Sequence, residues 1–147
     1  MDKRYLSPLE MLNIATQHAY AADYLLQQVT HKTIHQENVL SPLTPVTSLM
    51  YQAFQLTLKA YCLHDHRPVK EYKKLMELVE LNSHLGFSSQ EISLLKTLTK
   101  QQSFLKGTDY DLWDNQQQFH VFCAEILSLY EKLQLMMPLE LQPDYQE

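Results

Sequence analysis

Two apolar series with helical spacing constrain the fold more than any other feature of this sequence. In each series the gaps run three, four, three, four and three residues, which places all members along one side of an α-helix. The series are Leu12, Ala15, Ala19, Ala22, Leu26, Val29 and Val46, Leu49, Ala53, Leu56, Ala60, Leu63. Because several of these side chains are alanines, we expect the two helices to approach each other closely.

Local signals set the expected bounds of the helices. Ser7 with Glu10 and Ser88 with Glu91 have the spacing of a capping box, and Thr44-Pro45 is a further start signal. Pro68 disfavours a helical conformation in the residue before it and so ends the second helix. The predicted helices span about 8–30, 45–64, 69–83, 89–106 and 114–135, with a loop at 31–44 and a loosely held tail at 136–147.

Length and glycine content agree with a helical fold. The chain has 147 residues, which fits a single domain. It contains only 2 glycines, whereas a sheet-rich fold of this size needs more of them in its turns. The sequence therefore predicts one all-α domain, a five-helix up-and-down bundle.

Charge and the absence of a long apolar run narrow the classes of partner. The net charge is −5, so nucleic acid, which is bound largely through Lys and Arg, is a disfavoured partner. No apolar run approaches the ~18 residues of a membrane span, and we expect no membrane insertion. The strongest basic group has two interpretations, a binding patch or a solvated helix face, and comprises Arg67, Lys70, Lys73 and Lys74.

The cysteines and the start of the sequence indicate a cytoplasmic protein. Cys62 and Cys123 lie in apolar stretches and lack the spacing of a CxxC motif. The first residues do not have the pattern of a signal peptide. We therefore expect two buried thiols in a reducing compartment.

Motifs for catalysis, metals and cofactors are missing from the sequence. His31 and His35 have a ligand-like spacing, but Lys32 stands where a zinc-protease motif requires glutamate. The chain has no phosphate-binding glycine loop and no nucleophile elbow. His64 and His66 lie at a helix end, where cationic side chains are favourable. We therefore assign no catalytic residue, no metal ligand and no cofactor.

The second helix carries more apolar side chains than one stripe requires. Four further residues widen its apolar surface: Met50, Phe54, Leu58 and Tyr61. A helix that is apolar around most of its circumference is central in its fold or shared with a partner. These residues are therefore assigned to a seam that is either a dimer face or part of the core.

Residues 109–114 form the most unusual local segment. They place Tyr110 and Trp113, the only tryptophan, among three aspartates. Tyr and Trp are frequent anchors in binding interfaces, and loops often carry function. The alternative is a tryptophan folded back onto the core. We retain Tyr110 and Trp113 as candidate binding residues.

The second helix also carries a resemblance to a known family. Residues 51–63 read YQAFQLTLKAYCL and resemble the central helix of HEPN domains, where a Gln-Ala pair precedes a Lys-Ala pair and an aliphatic end. Residues 71–78, EYKKLMEL, are similar to the short amphipathic helix that follows it, and the resemblance can cover about 8–135. It implies a helical bundle that often forms homodimers. Some members are ribonucleases, and others resemble binding partners of small nucleotidyltransferases.

The ribonuclease branch of that family carries an arginine followed by a histidine four to six residues later. This pattern is absent after Arg4 and after Arg67. The sequence therefore predicts a non-catalytic HEPN-like binding module, a homodimer that engages a protein or nucleotide-bearing partner such as a nucleotidyltransferase. An acidic helical adaptor or chaperone subunit is one alternative, and a divergent ribonuclease or toxin is another.

Overall fold

The architecture is known from a computed structural model that describes residues 6–29, 43–67, 74–104 and 116–142. The regular elements in these ranges are α1 (Pro8–Gln28), α2 (Leu43–His64), α3 (Leu75–Leu81), α4 (Ser89–Phe104), α5 (Gln116–Met136) and 3-10 turns at Ser83–Leu85 and Leu139–Leu141. Within the ranges described, the all-α prediction with five helices is confirmed. None of these helices combines the length and the continuous apolar character that crossing a bilayer requires.

The predicted capping boxes form at the starts of α1 and α4. The Ser7 hydroxyl accepts a hydrogen bond from the Glu10 amide at 3.1 Å, and the Glu10 carboxylate accepts one from the Ser7 amide at 3.0 Å. Ser88 and Glu91 make the same reciprocal pair. These bonds satisfy amide groups that have no partner inside the helix. In contrast, α2 begins at Leu43, two residues before the predicted start, and the Leu43 side chain is fully buried.

A Schellman motif ends α2. The Arg67 amide donates to the Cys62 carbonyl at 2.8 Å, and the His66 amide donates to the Leu63 carbonyl at 3.1 Å. His66 adopts φ 57°, the left-handed conformation that glycine usually supplies at this position. The chain therefore leaves the helix sharply, just before Pro68.

Alanines bring α1 and α2 into close contact along most of their lengths. Ala15 and Ala22 of α1 are completely buried, as are Ala53 and Ala60 of α2. The contact between these two helices is the most extensive in the described structure. Small side chains on both surfaces permit this approach, as the two apolar series predict.

The remaining surface of α2 is covered within the chain. α2 contacts each of the four other α-helices of the described structure. Met50, Phe54 and Leu58 are completely buried, and Tyr61 is partly buried. The core interpretation therefore fits Met50, Phe54 and Leu58. These three residues do not form an exposed surface for a second copy, because α3, α4 and α5 cover the sides of α2 that α1 leaves uncovered.

A buried polar network fixes α5 against α1 and α2. The Tyr130 and Thr57 hydroxyl oxygens lie 2.8 Å apart, and Gln134 donates to the Thr16 hydroxyl at 3.3 Å. The Tyr130 ring also meets Phe54 edge-on, with centroids 5.3 Å apart. Burial raises the pKa of Tyr130, although hydrogen bonds from its partners oppose this rise. Tyr130 is thus a neutral hydrogen-bonding element of the core.

The end of the chain packs more closely than the predicted tail suggests. α5 continues to Met136, and the turn Leu139–Leu141 contacts α1. Met137 and Leu141 are buried and supply the apolar contacts that hold this turn. The predicted loose tail at 136–147 is therefore wrong for residues 136–142, and residues 143–147 lie outside the described residues.

Both cysteines are buried free thiols. Burial raises the pKa of Cys123 to about 12, so its thiolate is scarce at neutral pH. Cys62 accepts a hydrogen bond from the Asn82 side-chain amide at 3.3 Å and thereby joins the end of α2 to the end of α3.

Enlarging an alanine between α1 and α2 tests the close packing. Ala15→Leu should lower the free energy of unfolding by about 1–3 kcal/mol, because the added methyl groups have no space. Ala21→Leu is the matched control, since Ala21 lies on the exposed face of the same helix. Its effect should stay within about 0.5 kcal/mol. Urea denaturation followed by circular dichroism gives both values, and equal transition midpoints would contradict the packing described.

Candidate binding groove

Arg67, a predicted binding residue, is engaged within the chain. Its Nη1 donates to the Leu81 carbonyl at the end of α3, and its Nη2 donates to the Asn82 side-chain oxygen at 2.8 Å. The Asp65 carboxylate lies 3.0 Å from Nε, although Nε lacks a partner with hydrogen-bond geometry. A cation is favourable at the free carbonyls of a helix end. Arg67 therefore braces α3 against the end of α2.

The rings of Tyr61 and His84 add to this contact between α2 and α3. The guanidinium of Arg67 lies 5.7 Å from the centre of the Tyr61 ring, within the range of a cation–π contact. The Tyr61 and His84 rings lie 5.6 Å apart, and His84 Nε2 is 3.4 Å from the Tyr61 hydroxyl. Tyr61, assigned from sequence to the seam, thus belongs to the contact between α2 and the 3-10 turn Ser83–Leu85.

The other candidate residues are not brought together by the described structure. Lys74 is exposed just before α3, where its amide donates to the Glu77 carboxylate at 3.1 Å. Four candidates lie outside the described residues: Lys70, Lys73, Tyr110 and Trp113. Their roles stay predictions. Within the ranges described, no cluster of three or more His, Cys, Asp or Glu side chains has an arrangement that could hold a metal ion.

α4 lies between two surface grooves because it buries only one narrow stripe. Its completely or almost completely buried side chains are Leu95, Leu98 and Gln101, which recur every three residues. The flanks of this stripe face α3 on one side and α5 on the other. Each flank borders a groove.

The groove between α3 and α4, hereafter the α3–α4 groove, has a volume of about 560 Å³. Its apolar lining consists of Met76, Val79, Phe87 and Ile92, and its polar lining consists of Glu77, Glu80, Ser83 and Lys96. Val79 is buried, whereas the other three apolar side chains are half-buried. The polar side chains are all exposed. The groove therefore has an apolar interior and a charged rim.

Local sequence signals explain how Phe87 reaches this groove. Gly86 adopts φ 81°, a left-handed conformation that turns the chain after the 3-10 helix. Phe87 directly precedes the capping residue Ser88, and Ile92 follows that cap by four residues, so the two occupy the positions of a hydrophobic staple. Both line the groove. Phe87 is not among the residues predicted from the sequence, although its place before the capping box is a signal for this position.

The groove between α4 and α5 is similar in size but more open to solvent. Its volume is about 530 Å³, with Leu94, Val121 and Leu129 among its apolar residues. Lys132 of α5 donates to the Glu91 carboxylate of α4 across it. Burial raises the pKa of Glu91, but hydrogen bonds from Lys132 and Ser88 and the charge of Lys132 outweigh burial. The net pKa is therefore below the ordinary value.

The two grooves differ in what they can bind. The α4–α5 groove already contains an ion pair within the chain, between Glu91 and Lys132. The α3–α4 groove is more apolar and less open than the α4–α5 groove, and no described ion pair involves its Glu80 or Lys96. An apolar interior with a polar rim is the usual composition of a protein-binding surface. We therefore regard the α3–α4 groove as the candidate functional site.

Comparisons of the chain with protein-family models, with curated proteins and with solved structures found no match. The HEPN resemblance consequently rests on the residues of the sequence alone. The fold itself, an all-α bundle of five helices in the part of the chain described, rests on the structure.

The lowered pKa of Glu91 predicts how stability depends on pH. Above the unfolded-state pKa, ordinarily 4.5, the ionised carboxylate should make the protein more stable than Glu91→Gln, which keeps the capping geometry. The advantage should disappear as the pH falls through the lower folded-state pKa. Urea denaturation between pH 7 and pH 3 measures the difference in the free energy of unfolding between the two proteins. This is roughly the range in which carboxylates titrate. Glu125→Gln is the exposed control, and an advantage that persists at the lowest pH would contradict the assignment.

Proposed function

We propose that the chain is a non-catalytic helical binding module that engages a protein partner through the α3–α4 groove. The observation that carries the proposal is the half-buried apolar surface of Met76, Phe87 and Ile92 inside a charged rim. The helices that form the groove are held by the chain's own core, so a partner meets a preformed surface. Preformed surfaces lower the entropic cost of binding.

The positions of the polar groups favour a protein over a small molecule. Small-molecule sites enclose most of the ligand and direct a few polar groups onto it. In the α3–α4 groove the polar side chains are exposed at the rim, and Glu80 and Lys96 belong to different walls. This arrangement suits a partner that fills the interior with apolar side chains and places its own charges at the edge.

The HEPN relationship and the identity of the partner remain predictions. Two alanines of the resembling segment, Ala53 and Ala60, are buried, as suits the central helix of a closely packed bundle. The resemblance suggests a small nucleotidyltransferase as the partner. The buried free thiols Cys62 and Cys123 are compatible with the reducing cytoplasm, where we propose that the two proteins meet.

The proposed homodimer requires a surface other than α2. Four leucines, hereafter the leucine end, are exposed where α1 begins and α5 ends: Leu6, Leu9, Leu135 and Leu139. The turn that contains Leu139 contacts α1, and Gln134 of α5 donates to the Thr16 hydroxyl of α1, so the end of α5 packs against α1. Exposed apolar side chains that lie together mark association surfaces, and we propose that these four leucines form such a surface.

Light scattering after size exclusion tests the dimer. If the leucine end joins two copies, the chain should elute with twice its mass, and Leu135→Glu with Leu139→Glu should convert it to a monomer. Val121→Glu is the control, because Val121 is also half exposed but lies near the start of α5, far along the helix from Leu135. A wild-type monomer at every concentration would contradict the dimer, while leaving the groove proposal in place.

Photocrosslinking in the native cell tests the groove. A photoreactive benzoylphenylalanine at position 87 should crosslink to a specific partner, because Phe87 lines the groove. The same amino acid at position 93 is the control, since Ser93 is exposed on α4 and does not line the groove. Adding Ile92→Glu should remove the product by placing a charge in the apolar interior.

The identity of the crosslinked protein then separates the alternatives. A nucleotidyltransferase would support the HEPN-like module, and a subunit of a larger assembly would support an adaptor or chaperone. Equal products from positions 87 and 93, or a product that survives Ile92→Glu, would contradict a partner in the groove.

A further inference from the structure

We propose that the occupant of the α3–α4 groove is an amphipathic helix with two apolar anchors one turn apart, a basic flank toward α3 and an acidic flank toward α4. The inference rests on the proposed function and adds the conformation and charge of the partner segment. It follows from the length of the groove and from the different charges of its two walls.

The length of the groove matches two turns of helix. The residues that α3 and the following turn contribute extend from Met76 to Ser83. At 1.5 Å per residue the α-helical part of this wall, from Met76 to Leu81, is about 8 Å long, and the turn to Ser83 extends it to roughly two turns of helix. Side chains at positions i and i+4 of a helix are about 6 Å apart, so two of them fit between the walls. A helix presents such a pair on one face without exposing its backbone to the apolar interior.

The charges of the walls determine which flanks the partner helix needs. Glu77 and Glu80 lie three residues apart on the α3 wall, and Lys96 lies on the α4 wall. All three are exposed at the rim, and no described ion pair involves Glu80 or Lys96. A helix with lysine or arginine on one flank and aspartate or glutamate on the other complements both walls at once. Because the walls differ in sign, the partner helix is also fixed in direction.

The same charges make other occupants less suitable. A second copy of this acidic chain would bring a net charge of −5 to a rim that already carries two carboxylates. A small amphipathic amine could pair with Glu77 or Glu80 but would leave Lys96 without a complementary group. Of these occupants, the mixed-flank helix fills the apolar interior and also places a complementary charge at each of the two walls.

Three synthetic helical peptides test the inference on the full chain. Each carries the same two leucine anchors, and they differ only in their flanks: lysine and glutamate on opposite flanks, lysine on both, or glutamate on both. Fluorescence anisotropy should show that the mixed-flank peptide binds most tightly. The all-glutamate peptide should bind about tenfold more weakly at low salt, and the difference should shrink at high salt.

Variants of the rim separate this inference from the proposed function. Glu80→Lys should reduce the preference for the all-lysine peptide over the all-glutamate peptide. Glu131→Lys is the control, because it makes the same charge change at an exposed position of α5, and it should leave this preference unchanged. Equal affinities for the three peptides, all abolished by Ile92→Glu, would overturn the charge inference and leave the binding groove in place. If none of the peptides binds, the helix-binding proposal is wrong. It is also wrong if a short alkylamine shifts the NMR signals of the groove residues and the peptides do not.

Discussion

The close packing of α1 on α2 is the contact on which the remaining structure depends. Alanines on both helices let the two backbones approach, and α2 thereby becomes the central element of the bundle. The other helices then pack on the sides of α2 that α1 leaves uncovered. α3 and α4 meet α2 next to each other, and the space between them is the α3–α4 groove. The candidate site is thus a consequence of how the helices share one central partner.

The position of α3 depends on polar contacts as much as on apolar packing. α3 has 7 residues, too few to form a stable isolated helix. Its end is held by Arg67, which bonds to Leu81 and Asn82, while Asn82 donates to the Leu78 carbonyl at 2.8 Å and to the Cys62 sulfur. Arg67, which was predicted from the sequence to bind a partner, therefore has a structural role. It supports the groove by fixing the wall that carries Glu77 and Glu80.

The parts of the fold that were predictable from sequence are those with local causes. Capping boxes such as Ser7 with Glu10, and apolar spacing along α1 and α2, depend on residues within a few turns of each other. The burial of Met50, Phe54 and Leu58 was ambiguous, because periodicity shows that a surface is apolar but not which molecule covers it. The groove requires the spatial relation of α3 and α4, which no local pattern contains. Phe87 and Ile92 did have a local signal, their places before and after the capping residue Ser88.

The reaction rates of the two buried thiols report on the opening motions of the native protein. Cys62 is covered at the junction of α2 and α3, and Cys123 is covered on α5. A thiol reagent reaches each sulfur only after the covering helices separate, so two alkylation rates report on two regions of the native state. If α3 detaches before the bundle unfolds, Cys62 reacts on a faster timescale than Cys123. The kinetics of modification at natural residues would then distinguish local detachment of one wall from global unfolding, without any engineered probe.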